Sequence, residues 1–140
     1  MAYKEKNNQM RTKMNYLYIA LGSILGASGR HFIFTIMEQK SLNFPWHTLV
    51  VNLTGCILIG FIAELFSLKS NLPYNIRLFL VTGFLGSFTT FSTFALDCGL
   101  LIGKNELLKS AAYILGSVLL GIIGYLLACW LTRYIFAPKI

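Results

Sequence analysis

The stretch GFLGSFTTFSTF, Gly83 to Phe94, sets two glycines and a run of hydroxyls among four phenylalanines, inside an otherwise apolar segment. Phe91 and Phe94 stand three apart, so on a helix their rings share a face. A phenyl ring has a negative face and a positive edge. An edge turned toward a path can therefore touch an anion without supplying a full charge; the ordinary fate of such rings is packing or lipid contact. Gly83, Gly86 and Ser87 lower helix propensity, and carbonyls freed at membrane depth are tolerated only where protein, water or an ion satisfies them. Such a break can hold a cation at the carbonyl end of a half-helix, or it is a kink whose Ser and Thr bond back to the preceding turn. Composition leaves both open.

Fewer polar groups stand elsewhere. In HTLVVNLTG, His47 to Gly55, Thr48 and Asn52 are four apart and share a helix face. An asparagine this deep is costly unless bonded, and its amide offers two donors. It either bonds a neighbouring helix or lines a polar route. Tyr113 and Ser117 are also four apart and add two hydroxyls. Arg30 could snorkel, pair, or draw anions into a vestibule, whereas His31 reads as a plain interfacial residue; Glu64 and Asp97 fall near segment ends. No acidic residue sits mid-membrane, which argues against a proton-coupled carrier. Cys56, Cys98 and Cys129 lie in apolar segments without paired spacing, as small hydrophobes do. No nucleophile–base pair, metal cluster or phosphate loop suggests an enzyme.

The elements that must position these residues are membrane helices. The chain is 56% hydrophobic and 12% charged, well below the ~25% charged fraction of soluble domains, and its mean hydropathy is +0.65. Residues 1–14 form a polar, basic tail without a cleavage-site pattern. Residues 15–140 form one transmembrane domain, with spans expected at about 16–37, 45–68, 76–102 and 107–134. Short connections put both termini on one side. The formal charge of +7 sits mostly in the tail, the loops and the helix ends, which fits membrane topology and not nucleic-acid binding. Lys4, Lys6, Arg11, Lys13, Lys69, Arg77, Arg133 and Lys139 lie on the side of the termini, against Arg30, Lys40, Lys104 and Lys109 on the other, which predicts termini inside. That bias comes entirely from the tail, so a chain starting at Met14 would have no preferred orientation. Small residues line the helices, among them Gly22, Gly26, Gly55, Gly60, Gly116, Gly121 and Gly124. Helices associate in lipid through such faces, and four helices this small-faced are expected to oligomerise.

Taken together, GSILGASGRHF (22–32), HTLVVNLTGCILIG (47–60) and GFLGSFTTFSTF (83–94) resemble three ordered motifs of the Fluc (CrcB-type) fluoride channels, a likeness that covers nearly the whole chain from Asn15. The resemblance implies an all-α membrane protein of four helices, the third broken near its middle, that assembles as an antiparallel, dual-topology dimer. It also implies passive export of fluoride across a bacterial plasma membrane, lowering its toxicity. By the same likeness, Phe91 and Phe94 are ring-edge contacts to the ion, and Asn52 is a donor that also positions the rings. Thr48, Tyr113 and Ser117 extend the polar track, Arg30 sits near a vestibule, and Gly86 and Thr89 give backbone carbonyls to a structural Na+ at the dimer centre. His47 stands where the family carries glycine, His31 where it carries an aromatic, and Ser87 where it carries a second glycine. Gly121 stands where some relatives have a hydroxyl. The partner is the same chain or, as in some relatives, a paralogous chain of opposite orientation. A small multidrug-type proton-coupled carrier is the alternative for four helices of this size, and a non-transporting membrane scaffold is another.

Overall fold

The computed structural model describes residues 2–69 and 72–137. Helix α1 runs Ala2–Met37, followed by a 3-10 turn at Gln39–Ser41, and α2 is Trp46–Leu68. The third span opens with α3, Tyr74–Arg77, continues through a π-helical segment, Leu78–Leu85, and α4, Gly86–Phe88, and ends in α5, Phe91–Gly103. Helix α6 is Leu107–Phe136. Four stretches are long and apolar enough to cross a membrane: Asn8–Met37, Trp46–Leu68, Tyr74–Gly103 and Leu107–Phe136. This is a multi-pass, all-helical membrane protein.

The residues read as a tail belong to α1, whose 36 residues reach about 54 Å at 1.5 Å each. Glu5, Gln9, Met10 and Lys13 are good helix formers, so no signal separates the polar turns from the apolar ones. Of the charges counted toward orientation, Lys139 and the side chains of Lys4 and Lys6 lie outside the described residues.

Two helix pairs make up the bundle: α1 packs on the first half of the third span, and α2 packs on α6. Glycine decides both. A methyl at Gly22 would overlap the Phe79 carbonyl, one at Gly26 the Phe84 carbonyl, and one at Gly83 would come within 2.6 Å of the Ile19 carbonyl. Backbones this close are how small-xxx-small faces hold helices together in lipid. In the other pair, Gly60 meets Tyr125, and Gly121 lies where a Cβ would sit 3.2 Å from the Cys56 sulfur. Gly116 differs from that expectation, having nothing within 4 Å among the described residues. The pair is fastened where the chain termini lie: Glu64, 7% exposed, accepts from Arg133 Nε at 2.7 Å. Cys129 donates to the Gly60 carbonyl. The core is small (Val51, Leu85, Phe88, Leu101 and Tyr113 among it), and most large apolar residues of α1 and α6 are exposed.

Candidate functional site

The backbone leaves helical geometry at Thr89 (φ −79°, ψ 160°) and Thr90 (φ −151°, ψ 121°). The glycines that raised the expectation of a break lie before it, within helical turns. Ser87 Oγ donates to the Gly83 carbonyl, and the Thr89 hydroxyl donates to the Leu85 carbonyl at 3.0 Å. Both are bonds back to the preceding turn, of the kind that bends helices. The two extended residues then let Thr90 begin a new helix as its N-cap. The Thr90 hydroxyl accepts from Thr93 N–H at 3.1 Å, one of the orphan donors at a helix start.

Asn52 fastens this break from α2. Its Nδ2 donates to the Thr90 carbonyl at 2.9 Å and its Oδ1 accepts from Thr90 N–H at 2.8 Å. The amide thus pairs the Thr90 N–H, which no helix serves, and adds a second bond to the Thr90 carbonyl, which as that of an N-cap already accepts the first bond of α5. In a continuous helix, Thr90 N–H would bond the Gly86 carbonyl, so the clamp releases that oxygen. Gly55, about one turn further along α2, is needed for the same approach: a side chain there would overlap the Thr89 methyl.

Directly after the clamp come the two rings. Phe91 is 81% exposed and Phe94 half-buried, with centroids 5.7 Å apart. Phe94 continues to Tyr113, its ring centroid 5.1 Å away. Phe44 meets the other edge of Tyr113 at 5.6 Å, nearly perpendicular. Tyr113 is 1% exposed and Thr48 fully buried beside its hydroxyl. The Ser117 hydroxyl, one turn along α6, is buried with no hydrogen-bond partner among the described residues. An unmet hydroxyl costs roughly 1–3 kcal/mol and calls for an explanation.

Two cavities flank this line of side chains. A cavity of about 400 Å³ is lined by Asn52, Cys56, Gly86, Thr89, Thr90 and Phe91, among others. A polar pocket of about 210 Å³ lies at the side opposite the termini, lined by Ser41, His47, Asp97, Lys104 and Glu106 with apolar neighbours. Between them run Asn52, Phe94, Tyr113 and Thr48. Arg30, instead of standing free, reaches the Thr89 carbonyl at 3.4 Å. The freed Gly86 carbonyl and the weakly engaged Thr89 carbonyl are hard oxygen donors beside the larger cavity, a donor set suited to an alkali cation.

Of the residues read from sequence, Asn52 meets the break directly before Phe91, Phe91 packs on Phe94 and Phe94 on Tyr113 with Thr48 buried beside it; Arg30 and the Gly86–Thr89 carbonyls lie at the margin, and Ser117 stands one turn along α6 from Tyr113. Three contributors were not read from the sequence. Thr90 is the clamped residue, and a Thr three before Thr93 in TTFST is an N-cap signal that could have located it. Asp97 accepts from the Tyr113 hydroxyl at 3.2 Å, and His47 Nδ1 accepts from Thr48 N–H at 2.8 Å. The Tyr113–Asp97 contact has no sequence signature because it depends on where α5 and α6 meet, whereas the His47–Thr48 contact joins neighbours in the first turn of α2.

The model of the CrcB-like protein family, described as Camphor Resistance (CrcB), matches residues 17–130. A protein of Rhodopseudomonas palustris (strain BisB5) named Fluoride-specific ion channel FluC is 43% identical over 123 residues, 87% of this chain and 99% of that protein. One of the same name from Granulibacter bethesdensis is 42% identical over 121 residues, 86% of this chain and 95% of its own length. Another from Helicobacter pylori (strain HPAG1) is 40% identical over 121 residues, 84% and 92% of the two chains.

Proposed function

The chain belongs to the CrcB-like family, and from that premise we propose that it is a fluoride-selective channel of the plasma membrane that lets fluoride leave the cytoplasm passively. The observation that carries the reading is the Asn52–Thr90 clamp with Phe91 and Phe94 directly after it. The clamp holds the ring pair in a set orientation beside a cavity, and the onward line of Tyr113, Thr48 and Ser117 is uncharged. Fluoride is small and strongly hydrated, so a pore must replace its water with several donors at once. Amide hydrogens, hydroxyls and ring edges do so without the grip of a buried ammonium, and conduction needs sites weak enough to leave. One Asn52 amide hydrogen remains after the clamp, beside the cavity that Phe91 also lines. A path between phenyl rings is narrow for bulkier anions. An interior-negative potential of 100 mV favours outward movement of one negative charge by about 2.3 kcal/mol, so no pump is required.

The functional unit is a dimer of oppositely oriented chains, either two copies or this chain with a paralogue. The Gly86 carbonyl, left without its helical partner beside the larger cavity, supports this reading: at membrane depth such a group needs protein, water or an ion to satisfy it. The carbonyls of Gly86 and Thr89 would hold a structural sodium ion at the dimer centre, where it would neutralise the carbonyl ends of the facing half-helices. The basic residues before Met14 favour termini on the cytoplasmic side. The carrier alternative would need a free carboxylate at depth; among the described residues Glu64 is held by Arg133 and Asp97 by the Tyr113 hydroxyl.

A fluoride electrode recording efflux from reconstituted vesicles tests the proposal. Fluoride should leave and chloride should not, and Phe91→Ile or Asn52→Ala should suppress the efflux. Equal chloride and fluoride leakage would sink the channel reading. Unchanged assembly and efflux after purification without sodium would remove the cation.

A further inference from the structure

Several hydroxyls on the helices of this chain return their proton to the carbonyl four residues back. Thr35 donates to His31 at 3.0 Å, Thr89 to Leu85 at 3.0 Å, Thr132 to Ala128 at 2.7 Å, and Ser87 to Gly83. Ser110 does not. It is 2% exposed, and its Oγ has no hydrogen-bond partner among the described residues, a state it shares with Ser117. The Glu106 carbonyl, four residues before it, receives the Ser110 backbone N–H at 3.0 Å but not the hydroxyl. Close to it on α6, Leu107, Leu108 and Leu115 are all exposed, so the helix turns its leucines out and its serine inward. A buried hydroxyl left unmet is costly and calls for an explanation.

We infer that Ser110 is a further donor to fluoride, a station between Tyr113 and the polar pocket. The inference rests on the channel reading above. Ser110, Tyr113 and Ser117 follow one another at spacings of three and four, which puts them on one face of α6. Seven residues make nearly two turns, so the two serines stand almost in register, about 10 Å apart along the axis. One ion cannot bridge that distance, and the serines are therefore successive sites with Tyr113 between them. Ser110 is the one on the pocket side. Glu106, one turn before it, lines that pocket, as does Asp97, which holds the Tyr113 hydroxyl. A fluoride bonded to the Tyr113 hydroxyl competes with the Asp97 carboxylate, whereas at Ser110 or Ser117 it displaces no acceptor among the described residues. Each serine supplies a single neutral donor. The ion regains part of its lost hydration there and is still able to leave, as conduction over several weak sites requires.

Efflux and stability measured together test this. Alanine is close to serine in shape, so Ser110→Ala removes the donor and keeps the packing. Its fluoride efflux from proteoliposomes should fall on the order of tenfold, the scale of one hydrogen bond to an ion. The melting temperature of the same variant in detergent should hold or rise, because an unmet hydroxyl has gone. Ser110→Cys, whose thiol is a weaker donor of similar size, should conduct at a rate between the two. Unchanged efflux in Ser110→Ala would overturn the inference, and a lower melting temperature beside it would mark the hydroxyl as the seat of a fixed water. Efflux and melting temperature falling together would also overturn it, since the hydroxyl would then be structural. So would a thiol that conducts no better than the methyl. Absence of fluoride efflux from the unaltered chain would instead remove the channel reading itself.

Discussion

The two halves of the third span differ in what holds them. Before the break, the π-helical segment and α4 are keyed into α1: Gly83 lies against Ile19, Phe79 and Phe84 against Gly22 and Gly26, and Phe88 is buried. After it, α5 presents Phe91, Leu96 and Leu100 outward, and Gly99 and Gly103 have nothing within 4 Å among the described residues. The first half is part of the chain's own core. The second touches it mainly through Phe94, Cys98 and Leu101, which gather around Tyr113. What joins the halves is a single asparagine. Residues of one continuous apolar stretch thus do different work, rigid scaffold on one side of Thr89–Thr90 and exposed surface on the other.

Substitutions should separate these roles, beginning with the first half. Gly83→Leu would drive a side chain into the α1 backbone, and overpacking of this kind costs about 3 kcal/mol or more. The expected result is loss of monodisperse protein in detergent; normal yield and melting temperature would show that the keyed half is not the scaffold. Asn52→Leu comes next. It leaves the Thr90 N–H unpaired and the Thr90 carbonyl with its helical bond alone, at about 2 kcal/mol, and should lower the melting temperature while abolishing fluoride efflux. If efflux survived, the clamp would not be what orients the rings.

Phe91→Ala touches the exposed half and should move stability by no more than about 0.5 kcal/mol. Efflux should nevertheless fall on the order of tenfold, as for loss of one ~1.4 kcal/mol contact to the ion. A large drop in melting temperature would instead mark Phe91 as packing. Gly99→Ala should do least. With open space around it, the alanine gains up to about 1 kcal/mol of helix propensity and leaves efflux alone. Destabilisation there would mean that α5 is covered more tightly than the chain shows by itself.

Composition and periodicity were enough for the class of molecule and for its four spans, because any backbone crossing hydrocarbon must satisfy its polar groups within the segment. The three motifs were enough for the family, and they named Asn52, Phe91 and Phe94 before any contact was known. Helix ends were less legible: α1 reaches Ala2 because its polar turns are built from good helix formers, so the change from tail to span leaves no mark in propensity. The position of the break could not be read at all from the glycines that suggested it. Gly83 stays helical because its use is close approach to Ile19, while two threonines of ordinary helical tolerance are pulled extended by an amide on another helix. The pairing of Tyr113 with Asp97 is likewise a product of assembly. A sequence states which groups must find partners; which partners they find depends on the few ångströms between helices, and only the packed bundle sets those.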